Sequence, residues 1–246
     1  VSLLPEQIIA VVLAGGFGKR VQHLLPDIPK PMAPVNGRPF LEWVVRYLAA
    51  QKISRVILST GHLAGSIDTH FQSQPVKNVH VHCVRETSPL GTAGGFLNAI
   101  RDTTDKPLAW LVLNGDSLAP TPLDIMIRTF DDTGIAGTIL GVPMDDATRF
   151  GTLSQNARGE LAGFSEKRPG AGVINAGVYL FRSSLIASFP ARSPLSFETE
   201  VFPALVNDGA RLKVCVTNVP FLDIGTPETL PLAEEFIRRN GNFFGS

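Results

Sequence analysis

The sequence predicts an α/β fold with a mainly parallel sheet, on three observations. Short apolar runs at residues 8–13, 55–59, 79–84 and 108–113 have the length and texture of buried strands. Segments with helical spacing of apolar residues lie between them, so strand and helix alternate through the first half, as crossover connections require. The composition, 44% hydrophobic and 18% charged over 246 residues without a long apolar run, suits one large domain with ample core.

The first run, IIAVVL (8–13), ends in LAGGFGKR (13–20). Gly15, Gly16 and Gly18 remove the Cβ atoms that would hold a bulky anion away from the backbone, and Lys19 and Arg20 follow. Such a turn can offer several N–H groups and a guanidinium fork to phosphate oxygens. It is not the dinucleotide fingerprint, because Val21 stands at the third glycine position, and the P-loop spacing is missing. Pro26, Pro29, Pro31 and Pro34 then rule out regular helix, which predicts Lys30 in an extended segment. Asn36-Gly37 predicts a tight turn. Pro39 opens a helix to Gln51 whose stripe is Phe40, Leu41, Val44, Val45 and Leu48. The second strand ends at Thr60-Gly61-His62, and a short helix through Ile67 and Phe71 leads to the third. LGTAGG (90–95) enters a helix carrying Phe96, Leu97 and Ile100, and the fourth strand ends in NGDS (114–117).

The second half reads differently. Residues 135–142 form a strand, and 151–154 with 160–164 a hairpin around 156–159. SEKR (165–168) and a Pro/Gly-rich loop precede the strand 174–181. Ser196 caps a helix through Phe202 towards Val206, and 212–216 is a further strand. FLDIGTP (221–227) opens the last helix, to Arg239. With no repeat and no linker, the chain is one unit in two lobes, about 1–133 and about 134–246.

Lys+Arg and Asp+Glu are both 22, so the net charge is zero, which argues against a nucleic-acid surface and leaves room for a local basic pocket. Cys83 and Cys215 lie in alternating apolar segments, as buried free thiols of a reducing cytosol do. VSLLPEQ at the start lacks a basic n-region, so neither a signal peptide nor a membrane span is expected. His80 and His82 share a strand face but have no third ligand nearby, which favours packing over metal binding. His62 is either a turn residue or part of a site wall. Asp131-Asp132 and Asp145-Asp146 read as solvated charges, Trp43 and Trp110 as core.

Three loops follow strand ends, 15–20, 60–62 and 114–117, and in an open parallel sheet such loops line one ligand-binding edge. Asp116 would face that crevice as a hard oxygen ligand. With a phosphate-cradling loop opposite, the fitting ion is Mg²⁺, which takes one or two carboxylates plus phosphate oxygens. Asp223 could meet the same ion from the other side. Each aspartate alone could equally be a cap or turn residue.

The ordered set LAGGFGKR, PKPM, LGTAGG, NGDS, SEK, NAGVY and DIGTP resembles the sugar-1-phosphate nucleotidyltransferases, from about residue 8 to 227. The resemblance implies a Rossmann-like α/β fold and the joining of a nucleoside triphosphate to a sugar 1-phosphate with Mg²⁺ present. It implies that Gly15, Gly16, Gly18 and Arg20 hold the triphosphate, that Lys30 reaches its phosphates and that Leu13 and Ala14 also bind the nucleotide. Gly91 brings its backbone to the nucleobase, and Thr92 also binds the nucleotide. Asp116 and Asp223 bind Mg²⁺. Asn114, Glu166, Asn175 and Gly177 line the sugar pocket, and Lys167 pairs with the sugar phosphate. Arg20, Lys30, Asp116 and Lys167 are thus the catalytic set. Lys19, Val21 and Ser117 depart from the commoner family residues without removing a catalytic charge.

No Ser-His-Asp or Cys-His set is needed for such chemistry. A sugar phosphate, with a second pKa of about 6, is largely dianionic near neutrality and needs no general base. The obstacle is repulsion between polyanions, which cations and positioning relieve. A glycosyltransferase would show an Asp-x-Asp motif, a nucleotide-sugar sensor would have lost catalytic charges, and a dehydrogenase would need the missing glycine. The segment 89–95 is similar to the base-binding turn of the family's guanylyltransferases. PKPMAPVNGRPFLEW and the absence of a hexapeptide β-helix after DIGTP resemble the short members acting on D-glycero-α-D-manno-heptose 1-phosphate. GTP and that heptose phosphate are therefore the expected substrates, for GDP-heptose and surface polysaccharide. Mannose 1-phosphate with GTP, or another sugar 1-phosphate with UTP, dTTP or CTP, is the alternative. A homodimer is compatible with this reading.

Overall fold

β1 (Ile8–Ala14) lies in the middle of the sheet and is covered on both faces, which is why its sequence is an unbroken apolar run and not an alternating one. The computed structural model describes residues 2–16, 18, 20–165 and 169–245. After β1 come the two-residue strands β2 (Pro34–Val35) and β3 (Arg38–Pro39), then α1 (Phe40–Ala50), β4 (Arg55–Thr60), α2 (Ala64–Ser73) and β5 (His80–Arg85). α3 (Thr92–Arg101), β6 (Ala109–Asn114), β7 (Ser117–Leu118) and α4 (Asp124–Thr129) complete the first half. The second half holds β8 (Gly137–Met144), β9 (Thr152–Gln155), β10 (Leu161–Ser165), β11 (Gly172–Arg182), α5 (Phe202–Asn207), β12 (Leu212–Val216), β13 (Leu222–Asp223) and α6 (Ala233–Arg239).

β5, β4, β1 and β6 are parallel neighbours in that order, and β11 pairs antiparallel with β6. β8 runs antiparallel to β11 and parallel to β12, and the β9–β10 hairpin lies beyond. The result is a nine-stranded, mainly parallel sheet flanked by helices, as the sequence predicts. The chain moves outward from β1 through β4 to β5, then crosses back to place β6 on the other side of β1. The switch point, where ligands bind in such sheets, therefore lies at the C-terminal ends of β1 and β6.

Alternate residues of β1 feed two cores. Ile8, Ala10, Val12 and Ala14 face the stripe of α1, with Phe40, Leu41, Val44, Val45 and Leu48 all buried. Ile9 and Val11 face α3 and an aromatic cluster of Phe96, Tyr179, Phe181, Phe189, Phe197 and Phe202. Trp110 meets Phe96 edge-on in that cluster, whereas Trp43 is half-buried and donates its indole N–H to the Val35 carbonyl at 2.9 Å.

Three elements depart from the sequence expectation. Lys30 begins a single 3₁₀ turn (Lys30–Met32), because that turn needs only the N–H groups of Met32 and Ala33, which the neighbouring prolines leave free. The last helix starts at Ala233 instead of near Pro227: Leu222 and Asp223 are taken up by pairing with Leu118 and Ser117, and Pro227 and Pro231 delay the helix further. α4 has no counterpart in the sequence reading, being too short to show a period.

Among the described residues no helix is long and apolar enough to cross a membrane. Both cysteines are free thiols. Burial, reinforced by Asp68, pushes the Cys83 thiol up to about 12, and burial raises that of Cys215 as well. Neither should react with an aromatic disulfide reagent at neutral pH until the protein unfolds, since the thiolate is the reactive form. Labelling of the native protein at the rate of free cysteine would contradict this.

Candidate functional site

The loops after β1, β4 and β6 come together as expected. Gly115 N–H donates to the Leu13 carbonyl at 2.9 Å, and a Cβ on Gly61 would lie 2.5 Å from the Gly15 carbonyl. A cavity of about 340 Å³ opens there, lined by Leu13, Gly15, Gly16, Glu86, Pro89, Leu90, Gly91, Thr92, Asn114 and Asp116. Of the expected nucleotide residues, Ala14 is buried and does not line it, its side chain being part of the α1-facing core. Gly18 and Lys30 line a second cavity, of about 640 Å³, with His62, Leu63 and residues 21–23 and 25–28. We take the smaller cavity as the site because acidic, amide and backbone groups from the ends of β1, β5 and β6 and from the turn before α3 converge on it.

The glycines of the loop serve packing as well as access. A Cβ on Gly15 would lie 2.6 Å from Glu86 Oε1, and one on Gly18 would lie 2.8 Å from Lys30 Cβ, while Gly16 has open space around it. Arg20 is exposed and holds no ion pair among the described residues. Phe17 and Lys19 lie outside the described residues, as do Glu166 and Lys167, the expected sugar contacts that follow the end of β10 at Ser165.

Asp116 and Asp223 meet because the β7–β13 ribbon pairs Ser117 with Asp223, and Ile224 N–H donates to the Asp116 carbonyl at 3.0 Å. Lys30 forms an ion pair with Asp116. Asp223 accepts the Gly225 N–H at 2.9 Å and lies 3.7 Å from the Arg149 guanidinium. Burial and the neighbouring Asp116 carboxylate push the Asp223 carboxyl above its ordinary range, against the pull of Lys30 and Arg149. Two carboxylates that repel one another at the edge of the sheet suit a divalent cation. Among the described residues there is no group of three or more His, Cys, Asp or Glu that could hold a metal ion, and His80 and His82 lie exposed on the edge strand β5.

In the second half of the chain, the register of β11 against β8 shifts between Asn175↔Gly141 and Tyr179↔Ile139, and Gly177 sits in this bulge with φ +71°. Asn175 Oδ1 accepts the Gly177 N–H at 3.0 Å, and a Cβ on Gly177 would lie 2.3 Å from the amide nitrogen of Asn114. Asn114 and Gly177 are therefore in contact, and Asn175 shapes the bulge. Thr92 lines the cavity, but its hydroxyl is committed to protein, accepting from Phe197 N–H at 2.9 Å and donating to Glu198 Oε2 at 3.0 Å.

Sequence reasoning missed Glu86, Arg149 and Glu198. Glu86 follows the end of β5 at the same sheet edge as the three loops, which is the signal that could have found it. Its Oε1 accepts from Ser59 Oγ at 2.9 Å, and Oε2 accepts no hydrogen bond among the described residues. No local signal singles out Arg149 or Glu198.

The family model for nucleotidyl transferases matches residues 9–240. A mannose-1-phosphate guanylyltransferase of Mycobacterium tuberculosis is 34% identical over 91% of this chain, which spans 62% of that protein's length. A D-glycero-alpha-D-manno-heptose 1-phosphate guanylyltransferase of Aneurinibacillus thermoaerophilus is 31% identical, over 92% of this chain and 96% of its own. The crystal structure of HddC from Yersinia pseudotuberculosis, complexed with GMP-PN, superposes with a TM-score of 0.80 at 34% identity, covering 93% of this chain and 98% of that one. Nucleotidyl transferases of this kind commonly use a divalent metal.

Proposed function

This chain belongs to the nucleotidyl transferase family as a sugar-1-phosphate nucleotidyltransferase, and within that class we propose that it transfers a guanylyl group from GTP to D-glycero-α-D-manno-heptose 1-phosphate. The observation that carries the choice of base is the Glu86 carboxylate, which accepts from Ser59 and lines the same cavity as Gly91. Guanine offers an N1–H and a 2-amino donor side by side, which a carboxylate can accept together. HddC, itself complexed with a guanine nucleotide analogue, supports the same base. The heptose rests on the likeness to the Aneurinibacillus enzyme over nearly the whole of both chains.

In this reading a phosphate oxygen of the heptose phosphate attacks the α-phosphorus of GTP. The new P–O bond forms as the bond to pyrophosphate breaks, and no proton need move first. Arg20 and the loop 15–20 hold the triphosphate, and Lys167 pairs with the incoming phosphate. Asp116 and Asp223 are the residues that would hold Mg²⁺. When bound, that ion supplies charge neutralisation at the phosphates. Lys30, ion-paired with Asp116, would add a positive charge beside the same phosphates. GDP-heptose would serve surface polysaccharide synthesis, and the cytoplasm is the compartment that goes with these substrates.

A second sugar has its own support: the mycobacterial mannose-1-phosphate enzyme is 34% identical. Pyrophosphate release measured for GTP, UTP, CTP and dTTP against heptose, mannose and glucose 1-phosphates tests both choices. GTP with the heptose phosphate is expected to give the highest kcat/KM. Better turnover with another base or sugar would overturn the corresponding half of the proposal. In Glu86→Gln, an amide donor replaces one acceptor, so kcat/KM for GTP should fall by about tenfold or more while the other nucleotides change little. An unchanged preference for GTP would remove Glu86 from base recognition.

A further inference from the structure

Glu198 is a glutamate in the first turn after the cap Ser196, a position where a carboxylate ordinarily faces solvent and needs only the helix dipole. Here it turns inward and three hydroxyl groups converge on it. Tyr179 OH donates to Oε1 at 3.2 Å, while Thr92 Oγ1 at 3.0 Å and Ser196 Oγ at 2.9 Å donate to Oε2. Only an acceptor with two oxygens and no hydrogen can satisfy all three.

The two arms lead to opposite sides of the site. Through Thr92, Glu198 holds the N-terminus of α3, whose Ala93 and Gly94 N–H groups both donate to the Leu195 carbonyl at 3.0 Å. Through Tyr179, whose ring is fully buried in the aromatic cluster, it reaches Asn175, whose Nδ2 donates to the Tyr179 oxygen at 2.7 Å. Asn175 in turn sets the bulge at Gly177 against Asn114. One carboxylate thus joins the turn assigned above to the nucleotide with the bulge assigned to the sugar, by an unbroken hydrogen-bonded chain.

Resting on that assignment, the geometry points to Glu198 as a positioning residue that couples the two substrates, so that each binds more tightly when the other is present. Both ends of the chain are irregular backbone, at Gly91 and Gly177, with left-handed φ values of +78° and +71°. A substrate that fits its own end of the relay favours the arrangement in which the other end fits as well. The coupling must be reciprocal.

The test measures the Kd of D-glycero-α-D-manno-heptose 1-phosphate by calorimetry, with and without saturating α,β-methylene GTP, and then the reverse. Mannose 1-phosphate replaces the heptose if that is the sugar the enzyme turns over. For the wild type the ratio of the two Kd values should be at least about fivefold. Glu198→Gln, which places an amide donor among three donors, should bring it to within about twofold of unity. Tyr179→Phe keeps the packed ring and cuts only the Asn175 arm, and should do the same, which guards against a Glu198 variant that fails to fold. A purely structural role would weaken each substrate alone and leave the ratio intact. That result, or a wild-type ratio near unity, overturns the inference. Failure of the wild type to bind the guanine nucleotide would instead count against the proposed function.

Discussion

Asp116→Asn and Asp223→Asn are each expected to lower kcat by about a thousandfold at saturating Mg²⁺, a loss of several kcal/mol of charge stabilisation. The β7–β13 ribbon brings the two carboxylates together, and their mutual repulsion with burial raises the Asp223 carboxyl. Replacing a carboxylate by its isosteric amide removes a hard anionic ligand while keeping size and shape. Stability should respond differently at the two sites. Folding disfavours the ionised form of Asp223, so its amide should leave Tm unchanged or slightly raised. Asp116→Asn leaves Lys30, only 12% exposed, without its ion-pair partner, and Tm should fall. Near-normal kcat in either folded variant would refute the paired-aspartate assignment.

Gly91→Ala is expected to raise the KM for GTP by about a hundredfold, because displacement of a binding turn by an ångström has effects of that order. Gly91 has φ +78°, and a Cβ there would lie 2.4 Å from the Leu195 carbonyl oxygen. That oxygen cannot retreat: it accepts from Ala93 and Gly94, and Leu195 N–H donates to the Leu90 carbonyl at 2.8 Å. The left-handed backbone alone costs an alanine about 1–2 kcal/mol, so Tm should fall by about 2–8 °C as well. Thermal melts and GTP titration kinetics check both effects. An alanine variant with wild-type KM and Tm would show that the turn is neither clamped nor in contact with nucleotide.

The strands were legible because each is buried on one or both faces and its residues report that burial locally. β1 and β6 read as strands from their apolar texture, and α1 from the spacing of Phe40, Leu41, Val44, Val45 and Leu48. The loops at 15–20, 60–62 and 114–117 were placed on one edge by the same alternation, since parallel strands joined by crossovers end on one side. What could not be read was which remote residues meet. β7 and β13 are two residues each, too short for any period, yet their pairing is what joins Asp116 to Asp223. The cavity-lining role of Glu86, the ion pair of Lys30 with Asp116 and the inward turn of Glu198 all depend on partners far along the chain. Side-chain patterning determines whether a segment is helix or strand and which face it buries, because that is a property of each residue against an average interior. Contacts such as Glu198 with Thr92 and Tyr179 are properties of pairs, decided only when packing of the whole sheet fixes the distance between them.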